Sequence, residues 1–136
     1  MPNKKILVVD DEDDIREIAQ MSLEDIGHWQ VIAASSGAEG IAKAESQHPD
    51  AILLDVMMPG MDGPTTVQKL RENPATKTIP IILLTAKVQA MDRQKFAALG
   101  VAAILAKPFD PVLLPGQIAE ALGWASSQTK SAQAGH

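Results

Sequence analysis

Five short apolar runs recur along the chain, and none of them alternates with polar residues. They are Ile6-Leu7-Val8-Val9, Val31-Ile32-Ala33-Ala34, Ala51-Ile52-Leu53-Leu54, Ile81-Ile82-Leu83-Leu84 and the stretch 101–106. A run this short that is apolar at every position reads as a strand covered on both faces, the condition of a parallel sheet. The connecting segments read as helices. Ile15, Ile18, Ala19, Leu23 and Ile26 recur at helical spacing, with Asp13 or Asp14 placed to cap the start and Gly27 to end it. Ser36 and Glu39 have capping-box spacing and open a helix to about Ser46. Pro64 opens a third helix that closes at Asn73-Pro74; a fourth is expected over about 89–99, and a fifth over about 114–122 with Pro115 in its first turn.

Strand followed by helix, five times over, requires a sheet with helices on both faces, and right-handed crossovers leave few ways to wind it. The expected fold class is α/β, a five-stranded parallel doubly wound sheet of flavodoxin-like (βα)5 type with strand order 2-1-3-4-5. That order puts the first and third strands side by side. A length of 136 residues suits one domain, expected over 1–123, and the polar stretch 124–136 offers little to bury and is expected to be a disordered tail.

Ligands of such sheets bind outside the carboxyl ends of the strands. The first strand empties into Asp10-Asp11-Glu12-Asp13-Asp14, the third ends on Asp55 before the turn residues Pro59, Gly60 and Gly63, the fourth ends at Thr85 and the fifth at Lys107. One isolated Asp is more often a turn or helix cap than a reactive group. Four of the five strand ends carrying a metal- or phosphate-binding group make coincidence the weaker explanation. Asp10, Asp11 and Asp55 converging on one lysine are costly without a cation, and an all-oxygen donor set suits Mg²⁺ or Mn²⁺ rather than zinc. A divalent ion, a hydroxyl and an ammonium around one carboxylate suit phosphoryl transfer, with Asp55 as the nucleophile that forms an acyl phosphate.

Composition narrows the alternatives. With 46% hydrophobic residues, 21% charged residues and a formal net charge of −5, the chain has no basic stripe to neutralise nucleic-acid phosphates. It has no cysteine for disulfides, thiolate metal sites or thiol nucleophiles. No apolar run approaches the ~20 residues of a membrane span, so a cytoplasmic protein with neither nucleic acid nor membrane as partner is expected.

On these motifs the chain resembles a receiver domain of the bacterial two-component response regulators. The motifs are Asp10-Asp11 after the first strand, the stretch from Asp55 to Gly63, Thr85-Ala86 after the fourth strand and Lys107-Pro108-Phe109 after the fifth. The resemblance covers about residues 4–123 and, with no second domain in the sequence, is closest to the single-domain, chemotaxis-type members. It implies that Asp55 accepts phosphate from a histidine kinase or histidine phosphotransfer protein. It further implies that Asp11, Asp55 and the Met57 carbonyl bind Mg²⁺, with Asp10 acting through metal-bound water. Lys107 would pair with the phosphoryl oxygens, and Thr85 would move toward them. A downstream protein target, not identifiable from the sequence, would then be engaged on the face of the fourth helix, fifth strand and fifth helix. Such a protein is a switch and not an enzyme turning over a separate substrate.

One position departs from the family. An aromatic residue is common three positions before the lysine, where this chain has Ile104, and it contains no tyrosine at all. Two other classes fit less well. An aspartyl phosphatase of the haloacid dehalogenase kind pairs its nucleophile with a second Asp two residues on, where Met57 stands; a phosphorylation-independent interaction module would be expected to have lost Asp55 or Lys107. Met57, Met58 and Met61 are read as an apolar turn lining, Trp29 and Trp124 as packing at the base of the sheet, Gly60 and Gly63 as turn glycines, and Lys87 as a solvated rim residue.

Overall fold

The computed structural model describes residues 4–58, 60–86, 94 and 98–124. Five strands, β1 (Lys5–Val9), β2 (Gln30–Ala34), β3 (Ala51–Asp55), β4 (Ile81–Thr85) and β5 (Ala103–Ala106), form one sheet in the order β2-β1-β3-β4-β5. Every neighbouring pair is parallel. Four helices are present among the described residues: α1 (Asp13–Met21), which continues into a π-helical turn at Ser22–Ile26, α2 (Gly37–Gln47), α3 (Gly63–Glu72) and α4 (Leu114–Leu122). Most of the helix expected over 89–99, the residue Lys87 and the tail beyond Trp124 lie outside the described residues; within that helix Gln94 is helical and its carbonyl accepts the Ala98 N–H at 3.1 Å.

The uninterrupted apolar strands follow from two cores, one on each side of the sheet. Leu7, Val9, Ile52, Leu54, Ile81 and Leu83 face one cluster together with Val67 and Leu70 of α3. The intervening residues Ile6, Val8, Leu53, Ile82 and Leu84 face the other with Ala19 and Leu23 from the first helical segment and Leu114 and Ile118 of α4. Every side chain of β3 and β4 is therefore removed from water whichever way it points, stabilising the fold by roughly 1.5–3 kcal/mol for a fully buried Leu or Ile, whereas the outer strands β2 and β5 are only partly covered. Trp29 and Trp124 meet edge to face at the base, ring centroids 5.2 Å apart, with Lys4 Nζ 4.8 Å from the Trp124 ring.

Local details differ from the sequence expectation. Neither Asp13 nor Asp14 caps α1; Glu12 holds the N-cap position and the two aspartates lie in the first turn, where their charges favour the helix dipole. The apolar stripe of the first helix is only partly used, since Ile18 and Ile26 are exposed. A π-helical turn shifts the register after Met21 and brings the buried Ser22 hydroxyl against the Pro111 carbonyl, to which it donates a hydrogen bond. In α2 the Ser36 side chain accepts the Glu39 N–H, but Glu39 reaches back to Ser35 and not to Ser36. β5 begins at Ala103, two residues later than the apolar run suggests. Gly60 has φ of +80°, the turn conformation expected of it; Gly63 instead begins α3, packed against the backbone of Val56.

Candidate functional site

Register brings the strand ends level. Val9 pairs with Leu54, Asp55 with Leu84 and Thr85 with Ala106, so Asp10, Asp55, Thr85 and Lys107 all emerge at one edge of the sheet. Asp10 is fixed there by its N–H, which donates to the Ala34 carbonyl at 3.1 Å, and Lys107 by its N–H to the Thr85 carbonyl at 2.9 Å. Arg16 of α1 adds a guanidinium bond of 2.7 Å to the Asp10 carbonyl.

Asp10, Asp55 and Thr85 are buried, Asp11 half-buried and Met57 exposed. One carboxylate oxygen from each of Asp10, Asp11 and Asp55 lies within 4.8 Å of the others. Lys107 Nζ donates to Asp55 Oδ1 at 3.2 Å and to Glu12 Oε1 at 3.1 Å. It also stands 3.3 Å from Asp10 Oδ2, close enough for charge pairing but out of line for a hydrogen bond. Asp10 Oδ1 accepts the Glu12 N–H at 2.9 Å, and Asp55 Oδ1 accepts a longer contact of 3.4 Å from the Met57 N–H. The group opens on a cleft lined by Asp11, Glu12, Ile15, Met57 and Pro108. The Lys107–Pro108 peptide bond is cis.

Burial, and secondarily the charge of Asp10, pushes the Asp55 carboxyl up to about 6 against the pull of Lys107. The Asp10 carboxyl is also raised, by burial first, although the Glu12 N–H and Lys107 oppose the shift. Burial works against the Lys107 ammonium, yet Glu12, Asp10 and Asp55 together outweigh it and hold that group above its ordinary range. Asp10 Oδ2 and Asp11 Oδ1 are buried oxygens that receive no hydrogen bond. Lys107, 3.3 Å from Asp10 Oδ2, offsets part of the cost of leaving such oxygens unbonded, and a bound cation would offset more of it at both. An all-oxygen set of three carboxylates at an open cleft fits a hard divalent cation, and the cluster can hold a metal ion.

The structure thus gathers Asp10, Asp11, Asp55 and Lys107 in one contact group, sets Thr85 at the end of the strand beside Asp55, and puts Met57 at the mouth of the cleft. Two residues of the site were not singled out from the sequence. Glu12 is one of five consecutive acids, and nothing in composition says which of them turns toward the lysine; Arg16 carries only the general signal of a base in an acidic first turn.

Ile104 pairs with Leu83 and packs, half-buried, against the core on the α3 side. No helix among the described residues is long and apolar enough to cross a membrane.

Residues 6–119 match the family model of the response regulator receiver domain. The chain is 45% identical over 109 residues to the alkaline phosphatase synthesis transcriptional regulatory protein PhoP of Bacillus subtilis, an alignment covering 80% of this chain and 44% of PhoP. It is 43% identical over 112 residues to the response regulator PleD of Caulobacter vibrioides, covering 81% of this chain and 24% of PleD. The chain therefore spans less than half the length of these two relatives. Among solved structures, the chemotaxis protein CheY4 of Vibrio cholerae superposes with a TM-score of 0.82 at 34% identity, covering 88% of this chain and 98% of CheY4. With the family model matched over most of the chain and a CheY-like sheet order, the chain belongs to the receiver domains of two-component response regulators.

Proposed function

We propose that this receiver domain is switched by transfer of a phosphoryl group to Asp55 from a histidine kinase or histidine phosphotransfer protein in the cytoplasm. The observation that carries the reading is the setting of Asp55, a buried carboxylate 3.2 Å from Lys107 Nζ and within 4.8 Å of carboxylate oxygens of Asp10 and Asp11.

In the proposed step an Asp55 carboxylate oxygen attacks phosphorus and an acyl phosphate forms. The phosphorus–nitrogen bond to the donor imidazole breaks, and the imidazole, protonated by solvent on its other ring nitrogen, leaves as the neutral ring. Asp11, Asp55 and the Met57 carbonyl would hold Mg²⁺, or Mn²⁺, with Asp10 beside them; the ion would neutralise charge on the phosphoryl oxygens. Lys107 is already aimed at Asp55 and pairs with an oxygen of the new group. Burial strips water from the Asp55 carboxylate, leaving a bare nucleophile once the neighbouring charges are balanced.

Thr85, at the end of β4, accepts the Lys107 N–H and pairs with Ala106. Ile104, on β5 beside β4, would fill the space vacated when the Thr85 side chain moves toward the phosphoryl group, in place of the family's usual aromatic. The face on β5 and α4 would then change its affinity for a downstream protein. Receiver domains are signalling switches, and no turnover of a separate substrate is proposed for this one.

The test is incubation with acetyl phosphate, with and without Mg²⁺, followed by intact-mass measurement of wild type and Asp55→Asn. A metal-dependent phosphate adduct absent from the variant supports the reading. An adduct of equal yield in Asp55→Asn overturns it.

A further inference from the structure

Glu12 is oddly employed. It stands at the N-cap of α1 with extended backbone, φ −88° and ψ 116°, where a carboxylate ordinarily accepts a helix N–H, yet its side chain makes no capping bond. The carboxylate instead crosses to a residue 95 positions away and accepts from Lys107 Nζ at 3.1 Å. Lys107 has three acidic neighbours, and they differ in freedom. Asp10 and Asp55 have side chains only 3% and 2% exposed, whereas Glu12 is 59% exposed and lines the cleft through which any donor must arrive.

We propose that Glu12 is a positioning residue that occupies the place of an incoming phosphoryl oxygen on Lys107. An ammonium has three protons, and the oxygens of Asp55 and Glu12 each take one hydrogen bond from it. When an anionic group binds Asp55, its oxygens need the donor nearest the cleft, and the partner able to give way is the exposed one. Removing Glu12 does not release Lys107, because Asp55 and Asp10 still hold it over the site. Glu12 therefore competes with the phosphoryl group, lowering affinity for it in the resting protein. This rests on the reading of Asp55 as phosphoacceptor, and it adds a residue of this chain that tunes how readily that site fills.

The charge of Glu12 could also act at a distance, by repelling any anion entering the cleft. The two routes separate in a double-mutant cycle, since only competition for Lys107 requires Lys107 to be present. The probe is beryllium chloride with excess fluoride at saturating Mg²⁺, which supplies a phosphoryl-like anion without chemistry, titrated against wild type, Glu12→Gln, Glu12→Ala, Lys107→Ala and Glu12→Ala/Lys107→Ala. Backbone amide spectra report both binding and the integrity of the fold.

Glu12→Ala is expected to tighten binding about three- to fivefold, the scale of a half-exposed ion pair, with a smaller gain for Glu12→Gln, whose amide oxygen still accepts. In the Lys107→Ala background the same substitution is expected to change affinity less than about twofold. An equal gain in both backgrounds overturns the proposal in favour of simple repulsion, and no gain in either overturns it outright. A wild type that binds the anion, with unchanged affinity in Glu12→Ala, removes Glu12 alone; a wild type that binds none removes the reading of Asp55 as well.

Discussion

Gly63 donates its N–H to the Val56 carbonyl at 2.8 Å, and a methyl group on its α-carbon would come within 2.7 Å of the Val56 α-carbon. The start of α3 is thereby pressed onto the backbone that leaves Asp55. The atoms in the way are main chain and cannot rotate aside. Gly63→Ala is expected to lower stability by about 1–3 kcal/mol, as overpacking does, and to weaken metal binding by displacing the turn that carries Met57. Urea denaturation and a metal titration check the two effects; an unchanged midpoint would show that α3 can move off without cost.

Asp55 also sets a pH dependence. Its folded carboxyl titrates at about 6 against an ordinary value of 3.8, so between those limits the unfolded chain releases its proton first. The contribution of this group to stability of the metal-free protein is therefore greatest below about pH 4 and falls as pH rises through about 6. Asp55→Asn is expected to stabilise the metal-free protein by roughly 3 kcal/mol at pH 7.5 and by well under about 1 kcal/mol at pH 4. Urea midpoints at the two pH values, measured in chelator, give the comparison. Equal effects at both would contradict the assigned shift.

Asp11 contributes one of the buried oxygens that lack a hydrogen-bond donor. Asp11→Ala is expected to weaken Mg²⁺ binding at least tenfold from a wild-type affinity in the millimolar to sub-millimolar range of an open carboxylate site. Lys107→Ala is expected to bind Mg²⁺ at least as well as wild type, because it removes a competing cation, while pairing poorly with a phosphoryl group. A titration unaltered by Asp11→Ala would remove that residue from the metal site.

Met57 is 59% exposed beside Asp55 and offers incoming water no strong hydrogen-bond partner. Its apolar side chain is expected to shield an acyl phosphate, so Met57→Asn should shorten the phosphoryl lifetime severalfold. Decay of labelled protein after donor removal, in excess Mg²⁺, is the measurement. A lifetime equal to or longer than wild type would show that water reaches phosphorus by another path.

Ile15 is half-buried and lines the same cleft, at the edge that a phosphodonor histidine would cross in the proposed transfer. Ile15→Lys is expected to slow transfer from a kinase or phosphotransfer protein while sparing labelling by acetyl phosphate. Equal loss from both donors would identify Ile15 as a packing residue instead.

The strands were legible because both faces are buried, which leaves no polar position to confuse the runs at Ile6, Ile52 or Ile81. Crossover handedness left few strand orders, and the most economical of them, which the structure has, sets Asp10, Asp55, Thr85 and Lys107 at one edge of the sheet. Helix detail was less legible because it depends on where side chains turn. Ile18 and Ile26 keep helical spacing yet face water, and the π-helical turn at Ser22–Ile26 breaks the register between them. Gly63 looked like a turn glycine because sequence carries no record of how close another backbone passes. Glu12 was hidden in its run of acids for the same reason; the lysine it meets lies 95 positions away.

In the proposed transfer Asp55 carries the phosphate as an acyl phosphate. Borohydride reduces such an anhydride and converts the aspartate to homoserine, a stable mark that peptide mass spectrometry can place in the sequence. After treatment with acetyl phosphate and Mg²⁺, homoserine is predicted at position 55, lost when Mg²⁺ is chelated before the donor is added. Homoserine at Asp10 or Asp11 with Asp55 intact, or a phosphate adduct that yields no homoserine anywhere, would contradict it.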